Sequence, residues 1–304
     1  MLKKLISTSK NSVLVLSVMI CLTLSRLLLR LFDSASAAFE LAAILLQLFC
    51  FLVPTAVFIM LRFNESMPEL HLSMPRLTTT PVVVSSVFML ISGAMLIVLL
   101  GGRAGDYTFT PYSSFDAAND YSFGKVLLMI ISAALIPAVC EELIFRGVLS
   151  SVYAEYGAPT AATLCTLCFA LAHMNLYSFP VFIYAGAVLW LLFVATRSIY
   201  APIAVHFFYN LFCLFGLPYI NSFYGETVSD GLFIFILTVI FLISTIVFCA
   251  GMAFIYKKNA DTDTSTVFPH GMRAVDSLRG LASEVLSIAF VLCVIMFFVV
   301  AILL

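Results

Sequence analysis

Long apolar blocks follow one another along the chain, separated by short polar stretches, and most approach the ~20 residues that cross a bilayer as a helix. They predict nine helices: Ser12–Phe32, Phe39–Leu61, Pro81–Leu100, Gly124–Cys140 with its continuation, Pro159–Met174, Pro180–Thr196, Ile203–Ile220, Leu232–Tyr256 and Glu284–Leu304. Arg26 and Arg30 interrupt the first. Its surroundings also carry features of a secretory signal: Lys3, Lys4 and Lys10 precede the apolar run, and Ala35-Ser36-Ala37 has the small residues of a cleavage site. The two arginines fall between that run and that site, which favours an uncleaved span. Cleavage would leave eight spans in the same orientation. The expected fold class is all-α, a polytopic membrane helix bundle of eight or nine transmembrane helices.

Composition agrees with this pattern. Of 304 residues, 63% are apolar and 10% charged, against about 45–50% and about 25% in a soluble domain. A soluble enzyme, a disordered regulator and a nucleic-acid-binding module are thereby excluded, and a net charge of −1 leaves no basic footprint for DNA or RNA. The sign pattern orients the chain, because Lys and Arg concentrate on the cytoplasmic side. With the N-terminus cytoplasmic, 11 of the 15 basic residues fall in inner segments, and the four outer ones are Arg26, Arg30, Arg103 and Lys125. The outer loop Gly101–Phe123 is acidic, and Lys257–Ser283 is the longest polar inner loop and a candidate for disorder. The eight cysteines lie almost entirely within apolar runs and are read as packing residues, the Cys165-x-x-Cys168 pair included.

Ionisable groups within spans are costly and mark function, facing a cavity or a partner. Three clusters stand out. In Glu141-Glu142-Leu143-Ile144-Phe145-Arg146, Glu142 and Arg146 are neighbours one helical turn apart and can neutralise each other. Glu141 points about 100° away from Glu142 on a helix, and a less compensated carboxylate in an apolar setting can act as base or acid near neutral pH. Phe169-x-x-x-His173 is the second cluster. Glu141 lies 16 residues before Gly157 and His173 lies 16 after it, and Gly157-Ala158-Pro159 is a turn signal. If the two helices run antiparallel, both side chains sit about 24 Å from the bend and meet at one depth. A carboxylate facing an imidazole is what activating a water requires. The third cluster, His206-Phe207-Phe208-Tyr209-Asn210, puts two polar groups on one helix face, suited to stabilising an oxyanion or to bonding between helices. His206 follows the Arg197–Ala201 loop so closely that the loop must dip into the membrane, or the span must tilt, for it to reach the other two.

These clusters, in this order on separate helices, resemble the CPBP family: type II CAAX prenyl endopeptidases together with the Abi group of bacteriocin-processing and immunity proteases. The family motifs EExxxR, FxxxH and HxxxN/D stand here as Glu141-Glu142…Arg146, Phe169…His173 and His206…Asn210. The resemblance covers roughly Lys125 to Asn210 and divides the chain into N-terminal transmembrane helices with an outer loop (1–123), a CPBP-like catalytic core (124–220) and C-terminal helices with a cytoplasmic loop at 257–283. It implies an intramembrane endopeptidase in which Glu141 is the general base and His173 its partner in activating water. It further implies His206 and Asn210 as oxyanion donors and Glu142 and Arg146 as supporting residues. Family members were long labelled metalloproteases. His173, His206 and Glu141 form a His₂Glu set such as catalytic zinc uses, but no His-Glu-x-x-His is present, and the metal-free reading with no cofactor is favoured over zinc.

The competing functions are a transporter or channel with a Glu/His/Arg pathway, and a catalytically idle immunity protein of the same family. No internal repeat of the kind many transporters show is found. The expected partners are the lipid bilayer and a membrane-associated peptide or protein substrate, prenylated or a peptide precursor, and no nucleic acid. Short loops lean toward a bacterial cell membrane.

Overall fold

The structure is a computed structural model that describes residues 11–33, 36–62, 68–101, 122–218, 220, 230–260 and 274–303. All of its regular elements are helical. They are α1 (Ser12–Leu29), α2 (Ala37–Leu61), α3 (Thr80–Leu100), α4 (Phe123–Tyr156), α5 (Ala158–Ala172), α6 (Phe179–Thr196), α7 (Tyr200–Gly216), α8 (Asp230–Ala260), α9 (Ala274–Val285) and α10 (Ile288–Leu303). Six of them (α1, α2, α3, α4, α6 and α8) are long and apolar enough to cross a membrane singly, and α9 with α10, bent by 57°, qualify as one further broken span. The protein is a polytopic helical membrane bundle.

Local signals set the helix ends. The Ser36 hydroxyl accepts from the Phe39 amide at 3.1 Å and Ser122 from Lys125 at 3.3 Å, capping α2 and α4. Pro81, Pro159 and Pro180 occupy first turns of α3, α5 and α6, where a missing N–H costs nothing. Gly157, at φ 86°, makes the reversal from α4 into α5, a backbone state that glycine adopts without steric cost.

The predicted spans differ from the observed ones in several places, the span expected over Glu284–Leu304 being broken between α9 and α10. The first helix ends at Leu29 rather than Phe32, and α5 is a 15-residue helix ending at Ala172, shorter than a full crossing. The span predicted from Ile203 begins at Tyr200. Part of the expected polar loop 257–283 is helix: Lys257–Ala260 complete α8, and Ala274–Ser283 belong to amphipathic α9, while 261–273 lie outside the described residues. The outer loop lies outside them at 102–121, as do Lys3, Lys4, Lys10 and Ala35.

How His206 reaches the depth of Glu141 is answered by the α6–α7 turn. Arg197 ends α6 in the left-handed region (φ 52°), and Ser198 and Ile199 are fully buried. An irregular segment, 68–76, covers this turn: the Ile199 amide donates to His71 O at 3.2 Å and the Ser73 hydroxyl to Arg197 O at 3.1 Å. A β-carbon on Gly147 would run into the Leu70 side chain and touch Ile199, so the turn sits level with Gly147. That is nine residues before Tyr156, about 14 Å up α4. The loop dips into the bundle.

Helices α5 and α6 approach closely at Gly186. A β-carbon there would lie 3.2 Å from Thr166 Cγ2, 3.3 Å from its Cα and 3.4 Å from the Phe169 ring. Backbone cannot yield as a side chain can, so Gly186→Ala is expected to cost about 1–3 kcal/mol, the range for overpacking a core. Thermal unfolding of the purified protein in detergent measures it. The cysteines of the Cys165/Cys168 pair are free and buried in the main core cluster.

Candidate active site

Helix α4 carries both glutamates and widens its hydrogen-bond ladder to a π turn at Leu143–Leu149, directly after them. Such turns concentrate at functional sites. The two carboxylates diverge. Glu142 is fully buried, and its Oε1 accepts from Arg146 Nη1 at 2.7 Å and from His206 Nδ1 at 2.8 Å. Arg146, also buried, donates its Nη2 to the Gly186 carbonyl at 3.0 Å and lays its guanidinium over the Phe169 ring, 4.6 Å from the centroid. One guanidinium thus joins α4, α5 and α6. A charged group in an apolar interior stands only when paired and hydrogen-bonded.

Glu141 faces the other way. Its Oε2 receives no hydrogen bond from the protein and lies 3.5 Å from Nε2 of His173. His173 is the residue at which α5 stops, and its Nδ1 is 2.7 Å from the Phe169 carbonyl. A carbonyl only accepts, so Nδ1 carries the proton and Nε2 presents its lone pair to Glu141 when the ring is neutral. The Phe169-x-x-x-His173 spacing has a physical reason: Phe169 sets the tautomer through its carbonyl and supports Arg146 through its ring. The structure brings Glu141 and His173 together from helices that run antiparallel around Gly157.

His206 lies next to this pair through Glu142. Its Nδ1–H is engaged with that carboxylate, so Nε2 is the nitrogen left for another partner. Asn210, one turn on, lines the same cavity and has its amide nitrogen 3.5 Å from the Ala134 carbonyl, a weak contact. The cavity holds about 820 Å³ and is lined by Glu141, His173, His206 and Asn210, with Phe, Leu and Ala making nearly half of the wall. Among the described residues, no three His, Cys, Asp or Glu side chains converge as a metal-binding group.

Residues 123–212 match a protein-family model described as Type II CAAX prenyl endopeptidase Rce1-like. This core belongs to the Rce1-like family. No curated protein and no solved structure matched the chain in the same comparisons. The match of this core implies a peptidase of the membrane-embedded CAAX type, and the matched segment contains the clusters at Glu141, His173 and His206.

Several residues around the Rce1-like core were not foreseen from the sequence. The Phe182 ring stacks on His173 with centroids 3.7 Å apart, and Gly186 on the same face of α6 accepts from Arg146. Their four-residue spacing within an otherwise apolar run was the available signal. Arg26, on α1 and outside the matched segment, donates to the His173 carbonyl at 2.9 Å. Its position inside a span was legible, its target was not. Tyr209 and Gln47 line the cavity too, each with a buried polar oxygen that no protein group bonds.

Proposed function

We propose that the protein is an integral membrane endopeptidase that hydrolyses a peptide bond with a water activated by Glu141 and His173. The observation that carries this reading is the 3.5 Å approach of two acceptors, Glu141 Oε2 and His173 Nε2, with Nδ1 of the histidine already committed to Phe169. A water between them donates one hydrogen to each and turns its oxygen lone pair toward the cavity. As that oxygen bonds to the scissile carbonyl carbon, Glu141 takes the proton. When the tetrahedral intermediate collapses, the C–N bond breaks and the same proton passes to the leaving amine.

His206 and Asn210 supply the oxyanion site. Asn210 offers its amide N–H, and His206 offers Nε2–H when the ring carries both protons. Each such donor is worth about 10²–10³ in rate. Glu142 and Arg146 hold His206 and α6 in place. No cofactor enters the reaction. The substrate is a membrane-associated peptide or protein, prenylated or a peptide precursor, and it is met in the lipid bilayer. The chain makes eight or nine crossings, α5 and α7 among them, with its N-terminus cytoplasmic, in a bacterial cell membrane.

The test is hydrolysis of a quenched fluorescent peptide by the purified protein in detergent. Cleavage is expected and is expected to persist after prolonged treatment with a strong zinc chelator. Loss of activity to the chelator with recovery on adding zinc overturns the metal-free step. Absence of cleavage across a varied peptide library overturns the peptidase reading in favour of transport or an idle relative.

A further inference from the structure

The cavity is open at one end of the bundle and closed at the other. From Glu141, His206 and Gln47 at its floor it runs to Arg30, Phe39 and Tyr177 at its rim, where the ends of α1 and α10, the start of α2 and the α5–α6 connection meet. Tyr177 is 67% exposed. None of the residues lining it comes from the opposite end of the bundle. That end is filled. The buried α6–α7 turn lies under segment 68–76, and Glu284, fully buried, accepts from the Asn11 amide at 2.9 Å, from Ser12 at 3.1 Å and from Tyr156 at 3.4 Å. This clasp ties α1, α4 and α9 together where a path from that face would run.

The closed end is the basic one. Arg62, Arg76, Arg197, Lys257 and Arg279 belong to it. Basic residues are few at the open end, and two of them are drawn inward: Arg26 onto the His173 carbonyl, and Lys125 onto buried Glu40 at 3.0 Å. Arg30 stands at the cavity rim itself. The rule that Lys and Arg remain cytoplasmic counts loop residues flanking the spans, so these apparent exceptions are accounted for by their places in the fold.

From the closed basic end and the open rim we infer that the site receives its substrate from the non-cytoplasmic side. The substrate class is a peptide segment lying on or emerging from the outer leaflet, such as an exported peptide or the outer end of a membrane-tethered protein. A tail anchored in the cytoplasmic leaflet meets the closed face. This rests on the peptidase reading of the site and deepens it, but the sidedness can be measured apart from activity.

The experiment uses the full chain in a bacterial inner membrane. In one arm, Tyr177→Cys and Met74→Cys, at the open and closed ends (67% and 77% exposed), are made where Cys21, Cys213 and Cys249, the cysteines that are not buried, are Ser. An impermeant maleimide on intact spheroplasts is expected to label position 177 and to label position 74 only after permeabilisation. The reverse pattern overturns the inference. In the other arm, the unaltered chain meets an impermeant quenched peptide in sealed vesicles. Cleavage is expected in right-side-out vesicles and lost in inverted ones. Cleavage only in inverted vesicles overturns the sidedness and leaves the peptidase standing. No cleavage in either, nor in detergent, sinks the peptidase reading, and the labelling arm still decides the side.

Discussion

Glu141→Gln is expected to lower peptide hydrolysis by about 10²–10⁴-fold, the contribution of a positioned general base, while leaving the melting temperature in detergent unchanged. The two halves of this expectation have separate grounds. The amide has the shape of the carboxylate, and Oε2 receives no hydrogen bond from the protein, so no structural contact is lost. The amide cannot take a proton from water, so the step that opens the reaction fails. Single-turnover cleavage of a quenched peptide, run beside thermal unfolding of the same preparation, measures both. A variant that keeps the parental rate removes Glu141 from the chemistry, whatever its distance from His173.

Arg146→Met is expected to produce the largest loss of stability. It leaves fully buried Glu142 with His206 as its remaining partner and strips the Gly186 carbonyl of its donor. Removing one member of a buried ion pair costs about 3–5 kcal/mol, because the other charge remains in the interior without compensation. The measurement is the shift in unfolding midpoint, with the yield of folded protein in detergent as a second readout. Arg146→Met combined with Glu142→Gln is expected to lose less than the two single changes together, since the double variant carries no stranded charge. Strict additivity would mean that Arg146 acts through its packing on Phe169 and not through the pair.

Much of the site was legible because helix geometry is regular. Glu142 and Arg146, four residues apart, meet wherever a helix forms. The equal spacing of Glu141 and His173 about Gly157 needed only an antiparallel return to bring them to one depth, and α4 and α5 supply it. The reach of His206 could not be read this way. It depends on segment 68–76, distant in sequence, covering the α6–α7 turn so that the turn's backbone groups are bonded inside the bundle. Phe182, Gly186 and Arg26 were hidden for the same reason. Each acts on a residue of another helix, and spacing along a chain says nothing about the contact made across a helix–helix interface.

The break between α9 and α10 escaped the apolar pattern as well. Hydropathy measures what lipid tolerates, and a bundle can cover a short or bent helix with its neighbours. Sequence alone determined the membrane bundle, its charge asymmetry and the carriers of the candidate chemistry, because those follow from local composition and a fixed rise per residue. Tertiary structure alone decided which nitrogen of His173 and of His206 is committed and which end of the cavity is open. Those depend on donors and walls that meet only once the helices have packed.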